Sequence, residues 1–138
     1  MKVLCVGDSD MIGAWVLHRF QIILTGIDLA VAVVEHDQII GVCIFQAHNG
    51  PDVELSYYGP KTLTLDIVKG LAKIAVDHLG VSRITARTAK SNKMMTRGIK
   101  KIGFEYEGIR HHAYGDKDAV MYGLYGKKLA RLAGKVMQ

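Results

Sequence analysis

Two short stretches of this 138-residue chain gather side chains that could move protons or hold an anion. In Val53-Glu54-Leu55-Ser56-Tyr57-Tyr58 a carboxylate stands beside an apolar residue and two phenols, so Glu54 is a candidate proton acceptor and Tyr57 and Tyr58 candidate donors. Immediately after it, Gly59, Lys61, Thr62 and Thr64 offer a turn glycine, a positive charge, two hydroxyls and the free N–H groups of a helix start. The same residues also read as a plain capped helix start with no anion. His48, His111 and His112 are alternative bases, histidine being the usual general base of enzyme sites. Their spacing matches no metal-ligand pattern, so no metal is expected. Tyr106 and Tyr122 complete the set of candidate phenol donors.

Composition bounds what such groups can serve. The chain is the size of one domain, with a hydrophobic share of 49% and a charged share of 22%, proportions of a folded protein rather than a disordered one. We expect a single domain over 1–138, with a shortened N-terminal β-α part at 1–28, a core at 29–126 and a basic tail at 127–138. The apolar stretches Ile22 to Val34 and Ile39 to Phe45 are broken well before the ~20 residues that a membrane helix needs. The start, Met1-Lys2-Val3-Leu4-Cys5, lacks the apolar and small-residue pattern of a signal peptide. A cytoplasmic protein with no membrane partner is expected, its Cys5 and Cys43 reduced and buried. The formal charge of +5 favours anionic partners, nucleic acid among them, although nucleic acid needs a basic patch that sequence does not reveal. Sequence leaves a monomer and a homodimer equally open.

The elements that must position these groups follow from periodicity. Lys2 to Val6 reads as a strand, and Asp8-Ser9-Asp10 caps a helix from Met11 to Phe20; Val6-Gly7-Asp8-Ser9 is therefore a helix cap and not a nucleophile block. Leu29 to Glu35, Ile39 to Gln46 and Val53 to Tyr58 form a three-stranded meander, turned at His36-Asp37-Gln38 and at His48-Asn49-Gly50-Pro51-Asp52. From Leu63 to Leu79 the period becomes helical, with Leu65, Val68, Ala72, Ala75 and Leu79 on one stripe widened by Ile67, Leu71 and Ile74, Thr62 or Thr64 as cap and Gly80 at the end. Arg83 to Thr88 alternates strictly, with Ile84, Ala86 and Thr88 on one face and Arg83, Thr85 and Arg87 on the other. It follows a crossover helix and can therefore lie parallel to the strand before it. A helix from Ser91 or Asn92 to Ile102 ends at Gly103. Phe104 to His112 and Ala119 to Tyr125 then pair across Tyr114-Gly115-Asp116-Lys117, and Lys127 to Met137 forms a short basic helix.

The stretch SNKMMTRGIKKIGFEYEGIRHHAYGDKDAVMY, Ser91 to Tyr122, carries Asn92, then Gly103-Phe104-Glu105 eleven residues on, then Glu107-Gly108, Asp118 and Tyr122. This arrangement resembles the C-terminal half of the GNAT superfamily of acetyl-CoA-dependent N-acetyltransferases. It is nearest in pattern to the branch that acetylates ribosomal-protein N-termini. The element order β-α-β-β-β-α-β-α-β-β is also that of the GNAT fold. The resemblance implies an α/β (α+β) class, a mixed and mainly antiparallel sheet whose central parallel strand pair is flanked by helices.

The same resemblance implies acetyl transfer from acetyl-CoA to a primary amine of a protein or small molecule by direct attack. Its cofactor would lie where the strands Val53–Tyr58 and Arg83–Thr88 part. Backbone at Tyr57, Tyr58 and Gly59 would cradle the acetyl and pantetheine groups, Lys61, Thr62 and Thr64 the pyrophosphate, and Asn92, Lys93 and Arg97 the distal arm. Glu54 would be the base, with His48, His111 and His112 as alternates, and Tyr57, Tyr58, Tyr106 and Tyr122 would be candidates for the proton donor. Two departures stand out. The phosphate-loop glycines of the family are absent from Pro60 to Leu65, and the usual proton donors are replaced by Met95 and Ile99. These departures favour an alternative of another class, a GNAT-shaped binding protein without turnover that docks an acidic protein or nucleic acid on a basic surface.

Overall fold

Alternating apolar residues and short turns generate a sheet, and helical stripes cover it on both faces. The computed structural model describes residues 2–59 and 64–135. Among them run β1 (Lys2–Val6), α1 (Ser9–Phe20), β2 (Ile27–Glu35), β3 (Gln38–Asn49), β4 (Asp52–Tyr58), α2 (Leu65–Ile74), β5 (Arg83–Ala89), α3 (Lys93–Ile102), β6 (Glu105–Tyr114), β7 (Lys117–Tyr125) and α4 (Gly126–Leu132). The seven strands form one sheet in the order β1-β2-β3-β4-β5-β7-β6. All pairings are antiparallel except that of β4 with β5, as the crossover through α2 requires. The expected mixed sheet with a central parallel pair is therefore present.

Local chemistry sets the element ends. Asp8 caps α1 by accepting from the amides of Asp10 and Met11, and Thr64 caps α2 by accepting from the amide of Ile67 at 3.3 Å. Asn92 caps α3, accepting from the amide of Met95 at 3.1 Å. After Ile74 the helix loosens into one π-helical turn, Ala75–Leu79, closed by Gly80 in the left-handed region (φ 66°). The last hairpin is tighter than expected: both strands run on until only Gly115 and Asp116 remain between them. His36 and Asp37 both take positive φ, which makes the β2–β3 turn a two-residue one.

Two apolar layers result. On one face Val53, Leu55, Ile84, Ala86, Tyr122 and Leu124 meet Ile67, Leu71 and Ala72 of α2, Ile99 of α3 and Leu129 of α4. On the other, Ile12 and Val16 of α1 pack on Ala30, Ala32, Val42 and Ile44. Two expectations need correction. Leu65 does not join the buried stripe; it is the first helical residue and points outward, while Ile67, expected on the same stripe, is buried. Cys5 is exposed rather than buried, because β1 is an edge strand that α1 leaves open, whereas Cys43 is fully buried.

The parallel pair is short and clamped at one end. Its register runs from Asp52 opposite Arg83 to Leu55 opposite Ala86, and then ends. At the start, the Pro51 carbonyl accepts from the amides of both Ser82 and Arg83. The Thr85 hydroxyl donates to Asp52 Oδ1 (2.9 Å) and accepts from Arg83 Nε (3.1 Å), while the Arg83 guanidinium reaches across to Glu107 on β6. That last contact passes over Gly123 of β7, where an added Cβ would lie 2.7 Å from Arg83 Nη2. The hairpin at the far edge is held by Asp118, whose carboxylate accepts from the His112 amide (3.0 Å) and meets His111 Nδ1 at 3.2 Å. The His112 amide first of all, and His111 with it, holds the Asp118 carboxyl below its ordinary range.

Thr85→Val keeps the shape of the side chain but removes the hydroxyl from the clamp. It should cost about 1–2 kcal/mol in urea unfolding, with an unchanged denaturant slope; no loss would show that Arg83 and Asp52 do not need the bridge. For Asp118 the lowered folded pKa means that its contribution is full above the unfolded carboxylate range and is lost as pH falls through the folded value. Asp118→Asn should therefore melt at a lower temperature than the parent at neutral pH. The gap should begin to narrow as pH falls below the ordinary carboxylate value of about 4 and close only once the folded parent carboxyl has itself taken up a proton.

Candidate active site

The site follows from the way the parallel ladder ends. Beyond Leu55, β4 stays bound to β3 (Ser56 opposite Ile44, Tyr57 opposite Cys43, Tyr58 opposite Val42). Beyond Ala86, β5 stays bound to β7 (Arg87 opposite Met121, Thr88 opposite Val120, Ala89 opposite Ala119). Each strand follows its outer partner, so the two separate into a V. The inward amides and carbonyls of Ser56–Tyr58 then have no rung on β5 to meet. The V opens into a cleft of about 370 Å³ lined from both faces of the sheet: Ser56, Tyr57, Tyr58, Gly59, Arg87 and Thr88 from the strands, Asn92 and Met95 from the α3 side, Phe20 and Tyr114 from the other. Beneath it, a narrow space of about 60 Å³ runs down to Leu55, Ala86, Ile99 and Phe104.

Tyr57 occupies a seat made by two glycines. A Cβ on Gly41 of β3 would stand 2.7 Å from the Tyr57 hydroxyl, and one on Gly59 would also collide with the ring, so both positions must be bare for the phenol to lie where it does. Burial, with the neighbouring Cys43 thiol second, pushes the Tyr57 pKa up, and the phenol keeps its proton at neutral pH. Tyr58, next along the strand, points to the α1 face and packs against Phe20 with ring centroids 5.8 Å apart. Its pKa is also raised, by burial first and by Tyr114 second.

Glu54 lies two residues before Ser56 on the same face of β4, one row below the opening, its side chain 27% exposed and 3.9 Å from Arg110 Nη1 of β6. Tyr122 is placed differently from the other candidates. It is 2% exposed, lies between Ala86 and Tyr106 in the larger core, packs edge-on to Tyr106 at 6.2 Å, and does not line the cleft. Tyr106 is exposed on the edge strand. His48 sits at the far end of the sheet from the cleft, bound to the Gly50 carbonyl at 3.1 Å, and His111 and His112 belong to the β6–β7 hairpin.

Asn92 both caps α3 and lines the cleft and its floor, so the cap and the lining role coexist. Lys93 faces a neighbouring hollow of about 390 Å³ shared with Lys90, Lys117 and Asp116. Arg97, one turn further, is exposed. Thr64 is exposed at the start of α2, which opens toward Lys2 and Leu4 of β1 and carries Asp66 in its first turn. Lys61 and Thr62 lie outside the described residues. The structure thus gathers Tyr57, Tyr58, Gly59 and Asn92 at one cleft, with Glu54 just below it, and adds Phe20, Gly41, Arg87 and Tyr114. Arg87 had a signal in the strict alternation of β5; the others are brought in by tertiary packing.

The fold that holds this V is similar to that of solved acetyltransferase structures. The sequence pattern described as Acetyltransferase (GNAT) domain matches residues 7–105. A spermidine/spermine N-acetyltransferase from Vibrio cholerae superposes with a TM-score of 0.74 at 12% identity, over 96% of this chain and 99% of that one. A ribosomal-protein-S5-alanine acetyltransferase from Vibrio fischeri gives 0.64 at 15% identity, over 86% and 69%. A probable acetyltransferase gives 0.61 at 19% identity over 72% of this chain, which spans 62% of its length, less than two thirds. At these identities the likeness is one of fold. Sequence comparison with curated proteins returns no match. Fold, element order and domain pattern agree: the chain belongs to the GNAT acetyltransferase family.

Proposed function

We propose that this protein moves an acetyl group from acetyl-CoA to a primary amine. The observation that carries the reading is the parting of β4 from β5 after Leu55 and Ala86. It leaves inward backbone groups of Ser56–Tyr58 without strand partners beside a cleft wide enough for a slender chain. Those groups would hold the pantetheine arm, with Tyr58 and Gly59 alongside it, Asn92 at its exit and Lys93 and Arg97 beyond. Lys61, Thr62 and Thr64 would serve the pyrophosphate end. The bound co-substrate supplies a thioester, an acyl group on a tolerable leaving group.

Direct attack by the amine needs no acyl-enzyme. Glu54 would take the amine proton, directly or through water, since it stands one row below the opening on the face away from α3. Tyr57 would return a proton to the departing sulfur, for which a phenol held neutral by burial is suited. Tyr122, buried beneath the strands, would act at most through packing. A second reading is favoured by one observation: Met95 and Ile99 at the cleft floor offer no proton. A binding protein that has lost turnover would keep the same cleft.

Calorimetric titration with acetyl-CoA, followed by a free-thiol assay over a panel of amines, separates these readings. Saturable binding with thiol release supports acetyl transfer. Binding without release supports the binding protein, and no binding at tens of micromolar protein rejects both. Where turnover is found, Glu54→Gln should lower kcat/KM for the amine by about 10²-fold or more, with little change in KM for acetyl-CoA. Tyr57→Phe should lower kcat with the cofactor KM preserved. An unchanged rate in either variant removes that residue from its role.

A further inference from the structure

The cleft is charged in one sense on the side away from α3. Among the described residues that line it, the charged side chains are Arg87 and Lys117, and no carboxylate is present. Of the nearby acids, Asp118 is engaged by His112 and His111 and Glu54 by Arg110, while Asp116 lines the neighbouring hollow and not this cleft. Among the described residues no carboxylate pairs with Arg87.

Arg87 is the first residue past the last β4–β5 rung. Alternation along β5 turns it to the same face as Arg83 and Thr85, opposite the core side, and its guanidinium lies 5.3 Å over the ring of Tyr114. Phe20 and Tyr58 pack beside it as an apolar wall, continued by Ile22. A half-buried arginine with one face on an aromatic ring still presents its planar N–H fork at its edge, the geometry that receives a carboxylate through two parallel hydrogen bonds. A polycation entering the same space meets Arg87 and Lys117 instead of the acids that would hold it.

Resting on the acetyl-transfer reading, we propose that the acceptor is an α-amino acid with an apolar side chain. Arg87 receives its carboxylate, and Phe20, Ile22 and Tyr58 receive its side chain. The amine then stands between this wall and the opening of the V. The group transferred and the proton released are those of the parent reaction, so no further reactant is needed. Arg87 is here a specificity residue for the acceptor, distinct from the residues that hold the co-substrate on the α3 side.

Phenylalanine, phenylalaninamide and spermidine provide the test, with thiol release as one readout and calorimetric titration into protein saturated with coenzyme A as the other. Phenylalanine should exceed its amide at least tenfold in kcat/KM, and spermidine should be poorer still. Arg87→Gln should bring the acid-to-amide ratio near one while leaving KM for acetyl-CoA within about threefold, and Arg87→Lys should keep only part of the ratio. A ratio near one in the parent, a preference for spermidine, or an Arg87→Gln effect confined to KM for acetyl-CoA would overturn the proposal. If no amine releases thiol, it is the acetyl-transfer reading that fails. The titration still decides this one: tighter binding of the acid than of the amide upholds it, and equal binding refutes it. Arg87 lies outside the buried core, and a melting curve for each variant verifies that the fold is retained.

Discussion

Four rungs of parallel pairing, Asp52 to Leu55 against Arg83 to Ala86, are the constraint on which the rest of this structure depends. Fewer would leave β4 and β5 without a common origin, and more would close the cleft. Length is limited because each strand has a second neighbour with a longer claim on it. β3 holds β4 through Tyr58, and β7 holds β5 through Ala89. Right-handed twist accumulates between strands that share no rungs, so the unpaired ends diverge. The clamp of Asp52, Thr85, Arg83 and Glu107 matters because it sits at the closed end and fixes where divergence begins.

The two faces of the sheet divide the work. The face under α2, α3 and α4 is apolar down to the floor of the cleft, where Ile99 and Phe104 are 3% and 4% exposed. Burial of that surface, at about 25 cal/mol per Å², holds the helices against the strands. The opposite face is covered by α1 only over β2 and β3. Its remainder carries the polar side chains: Glu54, Ser56, Arg83, Thr85, Arg87, Glu107 and Arg110. These polar groups stand on a rigid support, and among the described residues no buried side-chain polar atom is unsatisfied.

How much of this was legible in sequence depended on how local the cause was. Thr64, Asn92, Gly80 and Gly103 bound their helices through contacts within a few residues; the two glycines were readable outright, and the caps to one of two residues each, Thr62 or Thr64 and Ser91 or Asn92. The alternation of β5 and the crossover through α2 gave the parallel pair, whereas the parting of its strands was implied only by the family resemblance. Cys5 and Leu65 were misplaced because burial depends on which strand is an edge and how a helix is rotated, neither of which a local pattern contains. The cleft itself draws on Phe20, Gly41, Tyr58, Arg87 and Tyr114, which are distant in sequence and meet only through sheet register. Gly41 is the clearest case: its lack of a side chain is explained only by the Tyr57 ring on the adjacent strand.

The absence of the family's usual donor on α3 then has a physical counterpart on β4. Ile99 contributes to the core with Phe104, Ala86 and Leu55, and a hydroxyl there would need a partner among apolar groups. α3 is thus fixed by burial along the side that would otherwise carry chemistry. Tyr57 stands on the strand that also supplies the unpaired backbone groups, seated between Gly41 and Gly59. On the proposed reading, donor and cradle therefore share one rigid element, and a shift of α3 would disturb neither. A strand held on one side by β3, with its aromatic ring wedged between two bare glycines, fixes a hydroxyl more closely than a helix terminus at the mouth of the cleft. The same economy places Arg87 one residue past the last rung of the partner strand. The two arms of the V then present a phenol and a cation from backbone whose separation is set by the same four rungs.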